Sequence, residues 1–203
     1  MLKSQITTII FDLAEVYLKG LLGIGEVLEP ILKMDKDKIQ SSFRGNELTE
    51  FFHGNFSEEK YLSFVIKKNK WNLDVIALKK VIRDNFIEID GTREIIESLR
   101  KNGYKLGLLS VHSREWVDYC NQKFDFHKLF HSIVYSFEFG ISKPDERSYK
   151  LILKKLKVCP NECLFIDDQE KNLIPAKKLG INVILFKTPH QLKNDILKLG
   201  IKC

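Results

Sequence analysis

Residues 6–17 read ITTIIFDLAEVY, an apolar run that ends on an aspartate. A run up to Phe11 that is apolar nearly throughout is typical of a strand that is buried on both faces. Asp12 then follows the carboxyl end of that strand, where ligands bind in open parallel sheets. A carboxylate in that place can serve as a nucleophile or hold a cation. Ala14 stands where a second acid would supply a proton to a leaving group.

Four more apolar runs follow along the chain, and helical patterns separate the later ones. The predicted strands are 6–11, 105–109, 132–136, 163–166 and 182–186. The predicted helices are 92–102, 145–156 and 172–179. Strands that alternate with helices predict an α/β fold, with a parallel sheet covered by helices on both sides.

Residues 18–89 break this alternation, because they carry amphipathic helix patterns and no convincing strand. Ser57, followed by two glutamates, is typical of a helix start. An insertion directly after the first strand lies where a ligand would bind in such a sheet. We therefore expect two domains: a core of residues 1–17 and 90–203, and an all-helical cap of residues 18–89.

The bulk composition excludes several classes of partner. The 203 residues carry a net charge of +6, but acids and bases are mixed and no long basic block favours nucleic acid. The run 6–11 is too short to span a bilayer. Four cysteines have no zinc spacing and no secretory leader precedes them, which favours reduced thiols. We expect a cytoplasmic protein without a membrane or nucleic-acid partner; the oligomeric state stays open.

Three later segments end strands or begin the helices that follow them. They are LGLLSVH at 106–112, GISKPDERSYK at 140–150 and LFIDDQEKN at 164–172, with the polar residues Ser110, Lys143, Asp167, Asp168 and Asn172. Because parallel strand ends share one edge of the sheet, we expect these side chains to meet Asp12 there. Clustered carboxylates repel each other unless a hard cation lies among them, and oxygen ligands suit Mg²⁺. A hydroxyl and a lysine can hold phosphate oxygens.

The four segments, in this order, resemble those of the haloacid dehalogenase-like (HAD) hydrolase superfamily. The similarity is to the subfamily IA-like group, which has a helical C1 cap after the first strand, and it covers nearly the whole chain. FIDDQEKN with AKKLGI and GISKPD are specific together, whereas FDLAEVY alone is weak. The resemblance implies a Rossmann-like core, Mg²⁺, and hydrolysis of a small phosphorylated metabolite through an aspartyl-phosphate.

The resemblance also implies a role for each site residue. The metal ligands would be Asp12, the backbone carbonyl of Ala14, Asp168 and, through water, Asp167. The catalytic residues would be Asp12, as nucleophile, and Lys143. Ser110 and Lys143 would hold the phosphoryl group, and Asn172 would orient the acidic loop.

The chain departs from the family pattern at two motifs. The family has Asp and Gly where this chain has Ala14 and Glu15, and it has Asn where Val111 follows Ser110. Loss of a general acid costs roughly 10²–10⁴-fold for a poor leaving group and little for a good one. Glu15 or His112 are alternative proton donors, although an exposed loop histidine is the simpler interpretation of His112.

Two other functions stay open beside the phosphatase. A catalytically weak relative that binds a ligand or a protein would explain the altered first motif. Dehalogenase or phosphonate chemistry is the third hypothesis. Halide-removing relatives lack the paired acids found at Asp167 and Asp168, and the cap shows no Met-Gly motif with the lysine that phosphonate cleavage requires.

Overall fold

Five parallel strands form one sheet in the computed structural model, which describes residues 6–203. The strands are β1 (Thr8–Phe11), β2 (Lys105–Ser110), β3 (Ser132–Tyr135), β4 (Cys163–Asp167) and β5 (Asn182–Leu185). All five predicted strands are confirmed, with ends that differ by one or two residues. Two ends run further than expected because Ser110 still pairs with Tyr135 and Asp167 with Leu185 in the ladder.

The strand order β3-β2-β1-β4-β5 places β1 at the centre. Phe11, the last residue of β1, pairs with Leu108 on one side and with Ile166 on the other. The chain builds outward from β1 to β3 and then returns to the opposite side of β1. This return creates the topological switch point at which open α/β sheets bind ligands. The α/β, Rossmann-like fold is therefore confirmed, and Asp12 lies at its switch point.

Residues 24–85 contain five helices between β1 and the rest of the sheet. They are α1 (Ile24–Leu32), α2 (Lys36–Ser42), α3 (Asn46–Phe52), α4 (Glu58–Asn69) and α5 (Val75–Asn85). Ser57 caps α4, as expected, by accepting from the Lys60 N–H at 3.2 Å. The chain enters and leaves this segment along one short paired stretch, in which Lys19 N–H donates to the Ile87 carbonyl. The division into a cap and a core stays a prediction, and residues 1–5 of that core lie outside the described part.

Six further helices cover the sheet: α6 (Thr92–Lys101), α7 (Arg114–Phe124), α8 (Ser136–Phe139), α9 (Glu146–Leu156), α10 (Glu170–Lys178) and α11 (Pro189–Lys198). Side chains of β1 alternate, so that Ile9 belongs to a core cluster with residues of α6, α7 and α11, and Ile10 to a second cluster with residues of α9 and α10. Gly107 lets α9 approach β2, because a Cβ there would lie 2.8 Å from Leu156. The predicted helices are confirmed, although α10 begins at Glu170, two residues before the expected start.

A buried carboxylate joins the helical segment of residues 24–85 to α7. Glu58, at the start of α4, is only 2% exposed. Its oxygens lie 2.8 Å from Lys79 Nζ and 2.6 Å from Arg83 Nη2, both on α5. They also accept a 2.8 Å hydrogen bond from the indole N–H of Trp116 on α7. Glu58 therefore ties α4, α5 and α7 together.

Removing this carboxylate should destabilise the protein. We expect Glu58→Ala to lower the free energy of unfolding by about 1–3 kcal/mol, because the buried Trp116 N–H would lose its acceptor and Arg83, which is 25% exposed, would lose its ion pair. Urea unfolding followed by tryptophan fluorescence measures this change. Glu59→Ala, the exposed neighbour, should cost less than about 0.5 kcal/mol. Equal losses in both variants would contradict a structural role for Glu58.

Within residues 6–203 no helix has both the length and the apolar composition that a membrane span needs. The helix α4 has 12 residues, whereas a span needs about 20. The cytoplasmic location and the absence of a nucleic-acid partner stay predictions.

Candidate active site

Three carboxylates meet at the centre of the sheet edge. Asp12 follows β1, while Asp167 ends the neighbouring strand β4 and Asp168 comes next. Each offers an oxygen, and these oxygens all lie within 4.8 Å of one another. The three carboxylates therefore converge as expected, because β1 and β4 are adjacent and parallel.

Lys143 lies between two of these carboxylates and is 7% exposed. Its Nζ is 2.8 Å from Asp12 Oδ1 and 2.5 Å from Asp167 Oδ2. Burial by itself would lower the pKa of Lys143, but Asp12 and Asp167 raise it above its ordinary value. The lysine therefore stays charged and fixes the Asp12 carboxylate. Leu13 N–H donates to the same Oδ1 at 2.7 Å, while Oδ2 has no protein hydrogen bond among the described residues.

Asp167 is fully buried and is held by donors from three directions. Besides Lys143, it accepts hydrogen bonds from Asn172 Nδ2 at 2.9 and 3.1 Å and from Gln169 N–H at 2.8 Å. Asn172 lies in the first turn of α10, so it fixes the loop that carries both acids. This arrangement fits the supporting role expected of Asn172. Among the described residues, Asp168 has fewer hydrogen-bond donors than Asp167.

The cluster has the properties of a site for a hard cation. Burial, reinforced by the nearby Asp167, raises the pKa of Asp168 to about 6. Burial likewise raises the pKa of Asp12 to about 7, although Lys143 opposes the shift. Asp168 Oδ1 is buried and has no hydrogen-bond partner within residues 6–203. Carboxylate oxygens that repel each other, one of them without a donor, are suited to Mg²⁺, whose charge would offset both costs.

Ser110 and Ala14 are the two other residues to which the sequence assigns a role at this site. Ser110 is 2% exposed at the end of β2, and its hydroxyl finds no partner in the described part of the chain. An orphaned buried hydroxyl is what a phosphate oxygen would satisfy. Ala14 borders the cavity described next, with Asp12 and Lys143. The roles that the sequence suggests for these residues stay predictions.

A cavity of about 670 Å³ opens beside the carboxylates. Its lining includes Asp12, Lys143, Asp168 and Asn172 from the edge of the sheet, together with residues of α2 and α3. The other lining residues that matter here are Phe43, Arg44, Leu48, Phe52, Phe86, Val111, His112 and Trp116. The sequence did not single out the aromatic members of this set, because they come from segments that meet only in the folded chain.

Glu15 adopts the left-handed backbone conformation, with φ of 60°. The family has Gly there, which takes this conformation without strain. The Glu15 carboxylate borders the cavity, but its Oε1 accepts hydrogen bonds from Gly20 N–H at 2.9 Å and Leu22 N–H at 3.1 Å. Glu15 therefore holds the loop that leads to α1.

The interpretation of His112 as an exposed loop histidine is wrong, because its ring is buried and only 4% of the residue is exposed. The ring packs against Phe52, Phe86 and Trp116, with centroids 5.7, 6.1 and 5.8 Å away. Burial lowers the pKa of His112 to about 4. The imidazole is therefore neutral near pH 7 and has no acidic proton to supply to a leaving group. No residue of the β2 motif signals this burial, since the rings come from α3, α7 and the stretch after α5.

Comparison with known proteins agrees with this geometry. The model of the family described as haloacid dehalogenase-like hydrolase matches residues 9–186. The chain is 26% identical over 153 residues to flavin mononucleotide hydrolase 1 of Arabidopsis thaliana, which covers 75% of this chain and 61% of that protein. It is 30% identical over 118 residues to the phosphorylated carbohydrates phosphatase of Thermotoga maritima, with 58% and 53% covered. The match thus spans less than two thirds of either relative.

A solved structure with the same fold is a HAD family enzyme from Bacteroides thetaiotaomicron, crystallised with magnesium and inorganic phosphate. The TM-score is 0.75 at 19% identity, with 90% of this chain and 95% of that chain covered. At this identity the similarity shows that the fold is shared.

Proposed function

Because the chain belongs to the haloacid dehalogenase-like hydrolase family, we propose that it is a Mg²⁺-dependent phosphatase of small phosphorylated metabolites. Catalysis proceeds through an aspartyl-phosphate on Asp12. The observation that carries the proposal is the meeting of Asp12, Lys143 and Asp168 beside a 670 Å³ cavity. A phosphorylated carbohydrates phosphatase among the similar proteins supports the same class of substrate.

Asp12 is placed to attack phosphorus. Its Oδ1 is fixed by Lys143 and by the Leu13 N–H, so Oδ2 is the oxygen left free of protein hydrogen bonds in the described chain. Fixing one oxygen holds the carboxylate in a single orientation, which lowers the entropic cost of reaching an in-line attack. Lys143 keeps its charge and therefore also stabilises the negative charge of a transferring phosphoryl group.

Asp12, Asp168 and the Ala14 carbonyl would hold Mg²⁺, with Asp167 reaching it through water. The cation supplies charge neutralisation for the phosphoryl oxygens when it is bound. The donors on Asp167 support its indirect role, because Lys143 and Asn172 already occupy both its oxygens. The buried hydroxyl of Ser110 has no hydrogen-bond partner among the described residues, and it would donate a hydrogen bond to a phosphoryl oxygen.

Proton delivery is the weak part of this site. Ala14 has no proton to give, His112 is neutral, and the Glu15 carboxylate binds two backbone amides. We expect Glu15→Gln to keep kcat within about tenfold of the wild type, because the amide oxygen can still accept from Gly20 and Leu22. A general acid at this position would instead make the loss roughly 10²–10⁴-fold. Steady-state kinetics on an alkyl phosphate distinguishes the two results.

The same weakness favours the second candidate function, a HAD-like protein that binds its ligand with little turnover. Acetyl phosphate separates the two candidates, because its leaving group needs no acid. We expect Mg²⁺-dependent release of phosphate that stops when the metal is chelated and that Asp12→Asn lacks. Release no faster than in Asp12→Asn would leave only the binding function.

A further inference from the structure

The C-terminal end of α3 lies against α8, the helix that follows β3. Three residues of α3 line the cavity: Leu48, Thr49 and Phe52. The Phe52 carbonyl accepts a 2.5 Å hydrogen bond from Ser136 Oγ on α8. Gly54, just beyond α3, has a φ of 81°, and a Cβ at this position would lie 3.3 Å from the Phe137 carbonyl. The part of the cavity wall that α3 forms is therefore held against α8 at one end.

A second contact joins the same end of α3 to the loop that carries Lys143. His53 directly follows α3, and its Nε2 lies 2.6 Å from Ser142 Oγ. The backbone N–H of His53 donates to the Thr49 carbonyl at 2.8 Å, so this residue is fixed to the helix. Ser142 directly precedes Lys143 in the chain. One side-chain hydrogen bond thus links a wall of the cavity to the loop of the lysine that contacts the nucleophile.

His53 and Ser142 are not among the residues that line the cavity. Both are half-buried, and within residues 6–203 their mutual contact is the only hydrogen bond that either side chain forms. The imidazole of His53 is therefore not placed to touch a substrate. Any effect of this pair on a substrate must be transmitted by α3 and by Lys143.

Helix α3 depends on the contacts at its ends, because a helix of seven residues has little stability of its own. The helices α4 and α5, in contrast, are joined to α7 through the buried Glu58. Loss of the contact between His53 and Ser142 is thus expected to loosen α3 without unfolding the rest of the helical segment.

We infer that His53 is a positioning residue, which holds α3 at a fixed distance from Lys143 and so sets the room that the cavity leaves for the leaving group. This inference rests on the proposed phosphatase function, in which Lys143 holds the phosphoryl group. The rest of the substrate then extends along α3. Small errors in such a distance are costly, since binding and attack both depend on the position of the substrate.

Two substrates of different length test the inference with Mg²⁺ present: acetyl phosphate, which ends close to the phosphoryl group, and phenyl phosphate, whose ring reaches further into the cavity. We expect His53→Leu to raise KM for phenyl phosphate about 5- to 10-fold, the effect of one lost hydrogen bond. Its kcat and KM for acetyl phosphate should be unchanged. Ser142→Ala should behave in the same way, and the double variant should be no worse than either single one, because all three lack the same bond.

His53→Gln distinguishes the hydrogen bond from the bulk of the ring, since its terminal amide can still bind Ser142. We expect this variant to keep the wild-type KM for phenyl phosphate. His190→Leu, which changes an exposed histidine on α11, is the matched control and should alter neither substrate. An unchanged KM for phenyl phosphate in His53→Leu, an equal loss on acetyl phosphate, or an equal loss in His53→Gln would overturn the inference and leave the proposed function standing.

Hydrogen exchange followed by mass spectrometry gives a readout that needs no turnover. The amides of residues 46–54 should exchange faster in His53→Leu than in the wild type, and at the wild-type rate in His53→Gln. If acetyl phosphate is inert with the wild-type protein, the proposed function fails, and the exchange rates then decide whether His53 holds α3. Equal rates in His53→Leu and the wild type would overturn the inference.

Discussion

Asp12→Asn is expected to lower kcat on the order of 10⁴- to 10⁶-fold, as removal of one member of a covalent catalytic unit does. The amide has the shape of the carboxylate but cannot attack phosphorus as an anion. Lys143 keeps its 2.5 Å contact with Asp167, so its position in the site is preserved. Residual turnover is measured with acetyl phosphate at saturating Mg²⁺.

In the absence of metal, Asp12→Asn should be at least as stable as the wild type. Burial holds the pKa of Asp12 at about 7, above the unfolded value of about 4. Ionisation of Asp12 therefore lowers the stability of the folded wild type. The loss begins as the pH rises past the unfolded pKa and is complete above about pH 7. At pH 8 we expect Asp12→Asn to unfold at the same or a higher temperature than the wild type.

Asp84→Asn, an exposed control on α5, should change neither activity nor unfolding. Activity close to wild type in Asp12→Asn would remove the basis for Asp12 as nucleophile.

Ala14→Asp is expected to speed the hydrolysis of alkyl esters by roughly 10²–10⁴-fold, because it restores the proton donor that the chain lacks. Ala14 borders the cavity, so the larger side chain has space on that side. Three carboxylates already crowd this edge, so the new acid should be protonated near neutral pH, as a general acid must be. Benzyl phosphate is the substrate on which the gain should appear, and phenyl phosphate should change little.

Ala14→Asn is the matched control, since it adds almost the same volume without an acidic proton. An equal gain in Asn and Asp variants would show that packing, and not proton transfer, limits the wild type. No gain in Ala14→Asp would show that water or another group already protonates the leaving oxygen.

The sheet and its carboxylates were predictable from sequence because both depend on local pattern and topology. Strands buried on two faces are apolar throughout, and parallel connections bring their carboxyl ends to one edge. Asp12, Asp167 and Asp168 therefore meet whatever the rest of the chain does. The extra residues at the ends of β2 and β4 depend on pairing with Tyr135 and Leu185, which no local pattern reveals.

The packing of Phe52, Phe86, His112 and Trp116 on one another was not predictable, for the opposite reason. Phe52, Phe86 and Trp116 lie far apart in sequence and meet only when the helical segment packs on the sheet domain. The burial of His112 follows from that packing, and so does the buried position of Glu58. Residues whose environment comes from long-range contacts give no periodic or motif signal.

Mass spectrometry of the acid-quenched enzyme tests the nucleophilic role of Asp12 most directly. Wild-type protein mixed with Mg²⁺ and excess substrate should gain the mass of one phosphoryl group on the peptide that contains Asp12. Hydroxylamine should remove that mass, as expected of an acyl phosphate, and Asp12→Asn should never acquire it. Steady hydrolysis without any phosphorylated enzyme, or a stable phosphoryl group on another residue, would contradict the account.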